Sequence, residues 1–418
     1  MSRSDVIEVE LLIIGGGVIG RSIAWECQRR GRQVMVLDRH RLEISDSVSR
    51  DPTSSAGASD GHSTSWAAAG ILPPANFDRA TDPIDRLRGY SHAMWPLWSQ
   101  QLESDTGMDI GYRHCGGLYL AQSAGERALM AGMVAYWADL DIECRRCTTK
   151  EIVERFDFLA EFARDETGRP GASKASDHSL AAWWTPDELQ VRPPRVLAAL
   201  AMAGRDAGAV FQGQCDVTDI QHGSSKVTVE ANLHNGMSTT IHAQDVVLCG
   251  GASTGLIDPA VGLRQSLIPV RGQILLLHDP RLQFDGVINL GNQYLVGRGD
   301  GHVLVGSCEE EVGFEFGNTD SVISDLRTLA GELCPMLRQA REVRRWSGLR
   351  PMTFDGFPMI GTVPEQSRLH VASGHYRSGI SLAPATAIAM ADHLDRRPSF
   401  MSLEPFSVAK QRAVANRD

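Results

Sequence analysis

Gly15, Gly17 and Gly20 fit the spacing G-x-G-x-x-G. Glycines placed this way let a backbone approach a pyrophosphate and let a helix pack closely on a strand. Asp38 stands 21 positions after Gly17, where a carboxylate accepts hydrogen bonds from a ribose. The elements needed to hold these residues are present in order. Residues 9–14 form an apolar run that reads as a buried parallel strand. Ile19, Ile23 and Cys27 recur at i, i+4 and i+8, one face of a helix, and Gly31 sits where a C-terminal cap belongs. A second apolar run, residues 33–37, closes on Asp38. The whole unit implies an adenine dinucleotide, and both NAD and FAD use it.

The chain has 418 residues, enough for two or three domains with their own cores. Its hydrophobic content of 42% and charged content of 22% are those of an ordinary globular protein. A net charge of −10 argues against nucleic acid or an anionic membrane as partner. No apolar run reaches the ~18 residues that span a bilayer. The first residues, Met1 to Asp5, lack the apolar core of a secretory signal, so the expected location is the cytoplasm. Eight cysteines are scattered, many inside apolar runs, as buried reduced thiols would be. Cys144 and Cys147 make one C-x-x-C with no second pair, a weak zinc or redox signal. The 13 histidines form no ligand cluster, and no metal is expected.

Residues 39–63 are polar and read as a loop, either a lid over the cofactor or decoration. Residues 63–74 are small and hydroxyl-rich, so they form either a backbone flush against a flat ligand or a short helix. Helices are expected at 86–103, with Tyr90, Met94, Trp95 and Trp98 in the core, and at 124–140, 194–207, 319–334 and 380–394. Residues 117–120 read as a strand and 181–187 as a loop. Short strands follow at 217–221, 226–231 and 239–243, with Asn235-Gly236 as a hairpin turn between the last two. Residues 246–253 and 369–374 are further strands running into glycines. Alternation at 270–277, 287–290, 293–296 and 302–305 predicts an antiparallel meander with one face on a cavity. Elements of the dinucleotide sheet thus bracket unrelated material, an interleaving that favours a flavoprotein.

Residues 346–361, containing Gly348-Leu349-Arg350-Pro351, resemble the D-amino-acid oxidase family of flavoenzymes. Residues 374–384, opening Gly374-His375-Tyr376-Arg377-Ser378-Gly379, look like its glycine oxidase branch, the enzyme of thiamine biosynthesis. Residues 15–20, 66–72, 269–273 and 294–298 match in the family's order, so the likeness covers nearly the whole chain. It implies an α/β fold: a Rossmann-type FAD-binding domain interleaved with an α+β substrate domain built on an antiparallel sheet. The expected division is 1–92, 185–262 and 347–418 for FAD, with 93–184 and 263–346 for substrate. The family oxidises the Cα–N bond of small amino acids by hydride transfer to flavin N5. The products are an imine or 2-oxo acid, ammonia and, with oxygen as acceptor, hydrogen peroxide.

By motif match, Arg350 grips the substrate carboxylate, Tyr294 donates to it, and Arg377 lies beside flavin and substrate. A planar guanidinium suits a carboxylate in a way that lysine does not. The implied FAD contacts are Gly15, Gly17, Val18, Ile19, Gly20, Asp38 and Arg39 at the dinucleotide turn. Ser65, Trp66, Ala67, Ala68, Gly70 and Ile71 follow, then Val217 and Gly250. Gly374, His375, Arg377, Ser378, Gly379, Ile380 and Ser381 complete the set. The helix after Gly374 would present its N-terminus to the N1–C2 edge of reduced flavin. With no cysteine near Gly-Leu-Arg-Pro, FAD is expected to be noncovalent. Glu309 stands where an apolar residue can line the pocket; facing the cavity it would shift specificity, and facing solvent it would do nothing. The branch tends to homo-oligomers. The competing readings are a D-amino-acid or sarcosine-type dehydrogenase with another electron acceptor, and a noncatalytic FAD-binding subunit of a complex.

Overall fold

The computed structural model describes residues 6–42, 63–163 and 180–410. The 39–63 segment, read as lid or decoration, lies mostly outside them. Consecutive apolar residues are buried together only where both faces of a strand are covered. Leu11, Leu12 and Ile13, in the strand Val6–Ile14, have no solvent exposure. This strand runs parallel to Val34–Leu37 on one side and to Ser238–Leu248 on the other. Val210–Gln212 continues the sheet beyond Val34–Leu37. Ser238–Leu248 joins the run expected at 239–243 to the first three residues of the one expected at 246–253, whose last three, Gly251–Ser253, form a 3-10 turn instead. Its first half pairs antiparallel with Val227–Leu233, and its last residues pair parallel with Gln366–Ser373. Cys215–His222 and Met359–Val363 complete the eight strands.

The helices Val18–Arg29, Pro83–Thr106, Pro193–Asp206 and Gly379–Leu394 cover one face, closing a core around Leu11, Ile13, Ile23, Trp95 and Leu200. Trp25 and Trp98 meet edge to face at 4.9 Å within it. The expected division at 92/93 falls inside the Pro83–Thr106 helix, whose Leu87 and Leu102 belong to this same core.

A second eight-stranded sheet lies over the first. Its order is Arg341–Thr353, Leu267–His278, His302–Gly306, Gln293–Arg298, Asp285–Leu290, Gly117–Ala121, Ala181–Thr185 and Arg145–Cys147. All neighbours are antiparallel except Gly117–Ala121 with Asp285–Leu290. The last three strands of the expected meander are consecutive neighbours. The first sits beside His302–Gly306 instead, because its other edge pairs along its length with Arg341–Thr353. That strand crosses the expected division at 346/347. Residues 181–185 are a strand, not a loop. Every one of them is buried, so the alternation that marks a half-exposed strand is absent: Trp184 packs on Phe156, and Arg155 stacks over its ring at 3.8 Å. No helix among the described residues is long and apolar enough to cross a membrane.

At one end of the first sheet Asp245 gathers two guanidinium groups and an imidazole. Arg32 lies at 2.9 Å, Arg368 at 3.3 Å and the His370 ring at 3.6 Å. Burial pushes the Asp245 carboxyl up, but the His370 and Arg32 contacts overcome this and hold it down at about 2. A carboxylate depressed in the fold adds stability above its unfolded pKa, and that increment is lost as pH falls through the folded value. Asp245→Asn should therefore destabilise the protein at pH 7 by on the order of 3 kcal/mol. In urea melts the gap between variant and wild type should close as pH drops from 5 towards 2, and a constant gap would show another cause.

Candidate active site

The glycine turn is held from both sides. Gly15 adopts φ +117° and its N–H donates to Leu37 O at 2.8 Å. A Cβ on Gly20 would overlap the Gly15 carbonyl oxygen, so helix and strand approach as closely as backbone allows. Asp38 accepts from the N–H groups of Gly16 at 2.6 Å and His40 at 2.7 Å, which fixes its carboxylate at the end of the second strand. Beneath the turn, the buried Arg21 donates to Gly16 O at 2.6 Å and Leu197 O at 2.8 Å. Burial lowers its pKa to about 10, which leaves it charged at neutral pH.

Residues 63–72 run between the sheets as turns and a two-residue strand, Ile71–Leu72. Ser65 Oγ accepts the Val18 N–H at 3.0 Å, and Thr64 donates to Leu349 O. From the second sheet, Trp346 Nε1 donates to Ala67 O at 3.1 Å and Arg298 to Ala69 O at 2.7 Å. Small residues are required here, because Ala67 Cβ already faces Gly348 across the gap.

Between the sheets lies a cavity of about 880 Å³. It extends from Asp38 and the glycine turn to Arg350 and Tyr294 beneath the second sheet. Arg350 donates to Cys308 O at 2.9 Å and to Ser307 Oγ, and among the described residues it has no carboxylate partner. Its guanidinium lies over Gly272, where any Cβ would collide with it. Tyr294 is buried; burial pushes its phenol up, partly opposed by Arg350 and Arg377, so it stays a donor at neutral pH. Arg377 pairs with Glu309 at 2.9 Å, and Tyr376 donates to the same carboxylate oxygen at 2.8 Å. Burial drives His375 down to about 3, so its ring is neutral, with Nε2 at 3.0 Å from Thr386 Oγ1. The helix Gly379–Leu394 begins at Ser378 with no side-chain cap and no acidic residue in its first turn, as does Val18–Arg29 at Gly17. Both N-termini border the cavity, and such ends favour anionic groups.

Of the residues singled out from sequence, Gly20, Trp66 and Gly374 do not line this cavity, while the others do. Gly20 faces the Gly15 carbonyl instead. Trp66 turns away to meet Trp346 at 5.3 Å, with Arg344 over its ring at 4.5 Å. Gly374, at φ +83°, is packed under Thr353. Glu309 does not line the cavity either; it ties down two residues that do. Arg21, Arg298, Tyr119 and Asn289 were not anticipated. Arg298 carried a signal, since it closes the 294–298 motif; Arg21 reaches the turn from the helix Val18–Arg29, and Tyr119 and Asn289 share the site through sheet register alone.

The sequence matches the family described as FAD dependent oxidoreductase (DAO) over residues 10–393. The chain belongs to the DAO family. Among curated DAO-like relatives, a glycine oxidase of Geobacillus kaustophilus is 30% identical over 402 residues, covering 96% of this chain and 97% of that protein. A hydrogen cyanide synthase subunit of Pseudomonas aeruginosa is 27% identical, covering 96% of each. The crystal structure of the Geobacillus kaustophilus glycine oxidase superposes with a TM-score of 0.80 at 29% identity, covering 96% of this chain and 98% of that one.

The DAO family's cofactor is FAD, and the site fits it. A Cβ at Gly15 would fill the cradle beside Cys249, two helix N-termini whose own cap residues make no side-chain hydrogen bond border the cavity, and the cavity is at the large end of ligand pockets. Gly20→Ala should weaken FAD binding roughly 10- to 100-fold. Flavin absorbance per mole of purified protein checks this, and a fully yellow variant would show that the Gly15–Gly20 approach is not needed.

Proposed function

We propose that this protein oxidises glycine or another small amino acid at its Cα–N bond. The products are an imine that hydrolyses to a 2-oxo acid and ammonia, and hydrogen peroxide from oxygen. The observation that carries the reading is Arg350: a cation at the cavity wall whose protein partners are a carbonyl and a hydroxyl, beside the buried Tyr294 phenol. Both suit a substrate carboxylate. Arg350 gives a charge-assisted contact in a fixed plane, and Tyr294 adds a neutral donor from another strand of the same sheet.

Bound FAD supplies the acceptor for the hydride that leaves Cα. The chain's task is orientation, since anchoring the carboxylate at two points leaves Cα little freedom to turn. The neutral His375 and the uncapped helix at Ser378 add electrostatic support for negative charge without introducing a competing acid. Supporting a small substrate, the Ser307–Cys308 backbone and Gly272 close tightly around the guanidinium. Eight unpaired thiols suit a reducing compartment, and we place the reaction in the cytoplasm.

The test is anaerobic addition of glycine, sarcosine and D-alanine to the yellow protein. Bleaching by one of them, then peroxide on readmission of oxygen, is the expected result. Bleaching without peroxide would assign a different electron acceptor, and no bleaching by any small amino acid would overturn the reading. Arg350→Lys should lower kcat/KM about 100-fold, with flavin content unchanged.

A further inference from the structure

An α-amino acid carries an anion and a hydrogen-bond donor on either side of one carbon. Arg350 and Tyr294 answer the anion, and nothing described so far answers the amine. The second sheet places an acceptor one strand away. Asn289 is the direct cross-strand partner of Tyr294, and Tyr294 is the partner of Gly306, whose neighbour Ser307 holds Arg350. Directly opposed residues share a face of the sheet, and adjacent strands lie about 4.8 Å apart. Asn289 and Tyr294 both line the cavity.

The Asn289 amide has a defined orientation. Its Nδ2 donates to Glu188 Oε1 at 3.3 Å, while Oδ1 has no donor among the described residues. Glu188 is wholly buried, and its other oxygen accepts from the Tyr119 hydroxyl. A Cβ on Gly117 would collide with the carboxyl at 2.6 Å, so the sheet leaves space for this group. A buried carboxylate without a cation is costly, and proteins keep one where its hydrogen bonds serve a purpose. We propose that Asn289 is the acceptor for the substrate amine and that Glu188, a positioning residue, holds the amide with Oδ1 towards the cavity. This rests on the amino-acid reading above and extends it to the second functional group of the substrate.

The arrangement is sensitive to protonation. Burial raises the Glu188 carboxyl to about 7, against the lowering contacts of Tyr119 and Asn289. The other titratable groups facing it are the Cys115 and Cys144 thiols, which burial raises to about 12 and about 11, so they are neutral. The adjacent Asp187 turns to His114 at 3.4 Å. Ionised Glu188 only accepts, which commits Nδ2. Protonated Glu188 donates, and the amide can then turn its Oδ1 inwards and present N–H to the substrate amine, a mismatch.

The experiment compares amine-bearing and amine-free ligands on the holoenzyme. Glycine, sarcosine and D-alanine are tested by flavin reduction, and acetate by perturbation of the flavin spectrum. Asn289→Leu should lower kcat/KM for the reducing amino acid roughly 10- to 100-fold while acetate affinity changes little. Equal losses for both, or no loss for either, would overturn the assignment and leave the amino-acid reading standing. If no amino acid reduces the wild-type flavin, both readings fall. In wild type, KM should rise as pH falls through about 7. Glu188→Gln should lose that limb, and Tyr119→Phe, by removing a contact that lowers the carboxyl, should move it to higher pH. A limb unchanged in Glu188→Gln would show that Glu188 does not set the amide.

Discussion

Two sheets can share a flat cavity only if something holds their separation constant. Here it is the backbone of residues 63–72. The helix that follows the glycine turn of the first sheet grips it through the Val18 N–H and Ser65; the second sheet grips it through Trp346 and Arg298, which donate to the Ala67 and Ala69 carbonyls. On a third side the Val191 N–H donates to Gly70 O at 2.8 Å. A buried carbonyl left without a donor costs about 1–3 kcal/mol, so these contacts resist any sliding of one sheet over the other. The distance from the glycine turn to Arg350 is set by this strip, and with it the space available to cofactor and substrate.

Charge in the cavity runs against charge on the whole molecule. The chain carries a net −10, yet its cavity is bordered by two helix N-termini without acidic first turns, by Arg350 and, behind the turn, by Arg21. Local placement decides what binds, because charges on the surface are screened and these are not. Glu309 fits the same logic. It sits at the half-exposed margin and neutralises Arg377, so that Arg350 is left as the cation free to receive an anion among those described at the cavity wall.

The glycine turn was legible because its chemistry depends on spacing along the chain: Gly15 to Gly20 and Asp38 act within one local unit. The place of Arg350 and Tyr294 at the cavity wall was legible only through motif likeness, since nothing in their own neighbourhood in the sequence separates a cavity-lining arginine from one in a surface ion pair. The strand Ala181–Thr185 was missed because burial on both faces erases the alternation that announces a strand. Asn289 and Glu188 were out of reach for another reason. They are 101 positions apart, and only the register of the strands between them brings amide and carboxyl together. Trp66 shows the converse: a residue inside a matching motif whose side chain faces away from the cavity to brace Trp346.

The strand Ser238–Leu248 joins the start of the chain, Val6–Ile14, to Gln366–Ser373 near its other end. On the ribosome, at ~5–20 residues per second, Leu11, Leu12 and Ile13 emerge tens of seconds before their final neighbours exist. During that interval an unpaired apolar edge is exposed, the kind of surface that chaperones cover and that otherwise aggregates. Six strands of the dinucleotide sheet are translated by residue 248, but its last two follow every strand of the second sheet, so the sheet that is started first is the last to close.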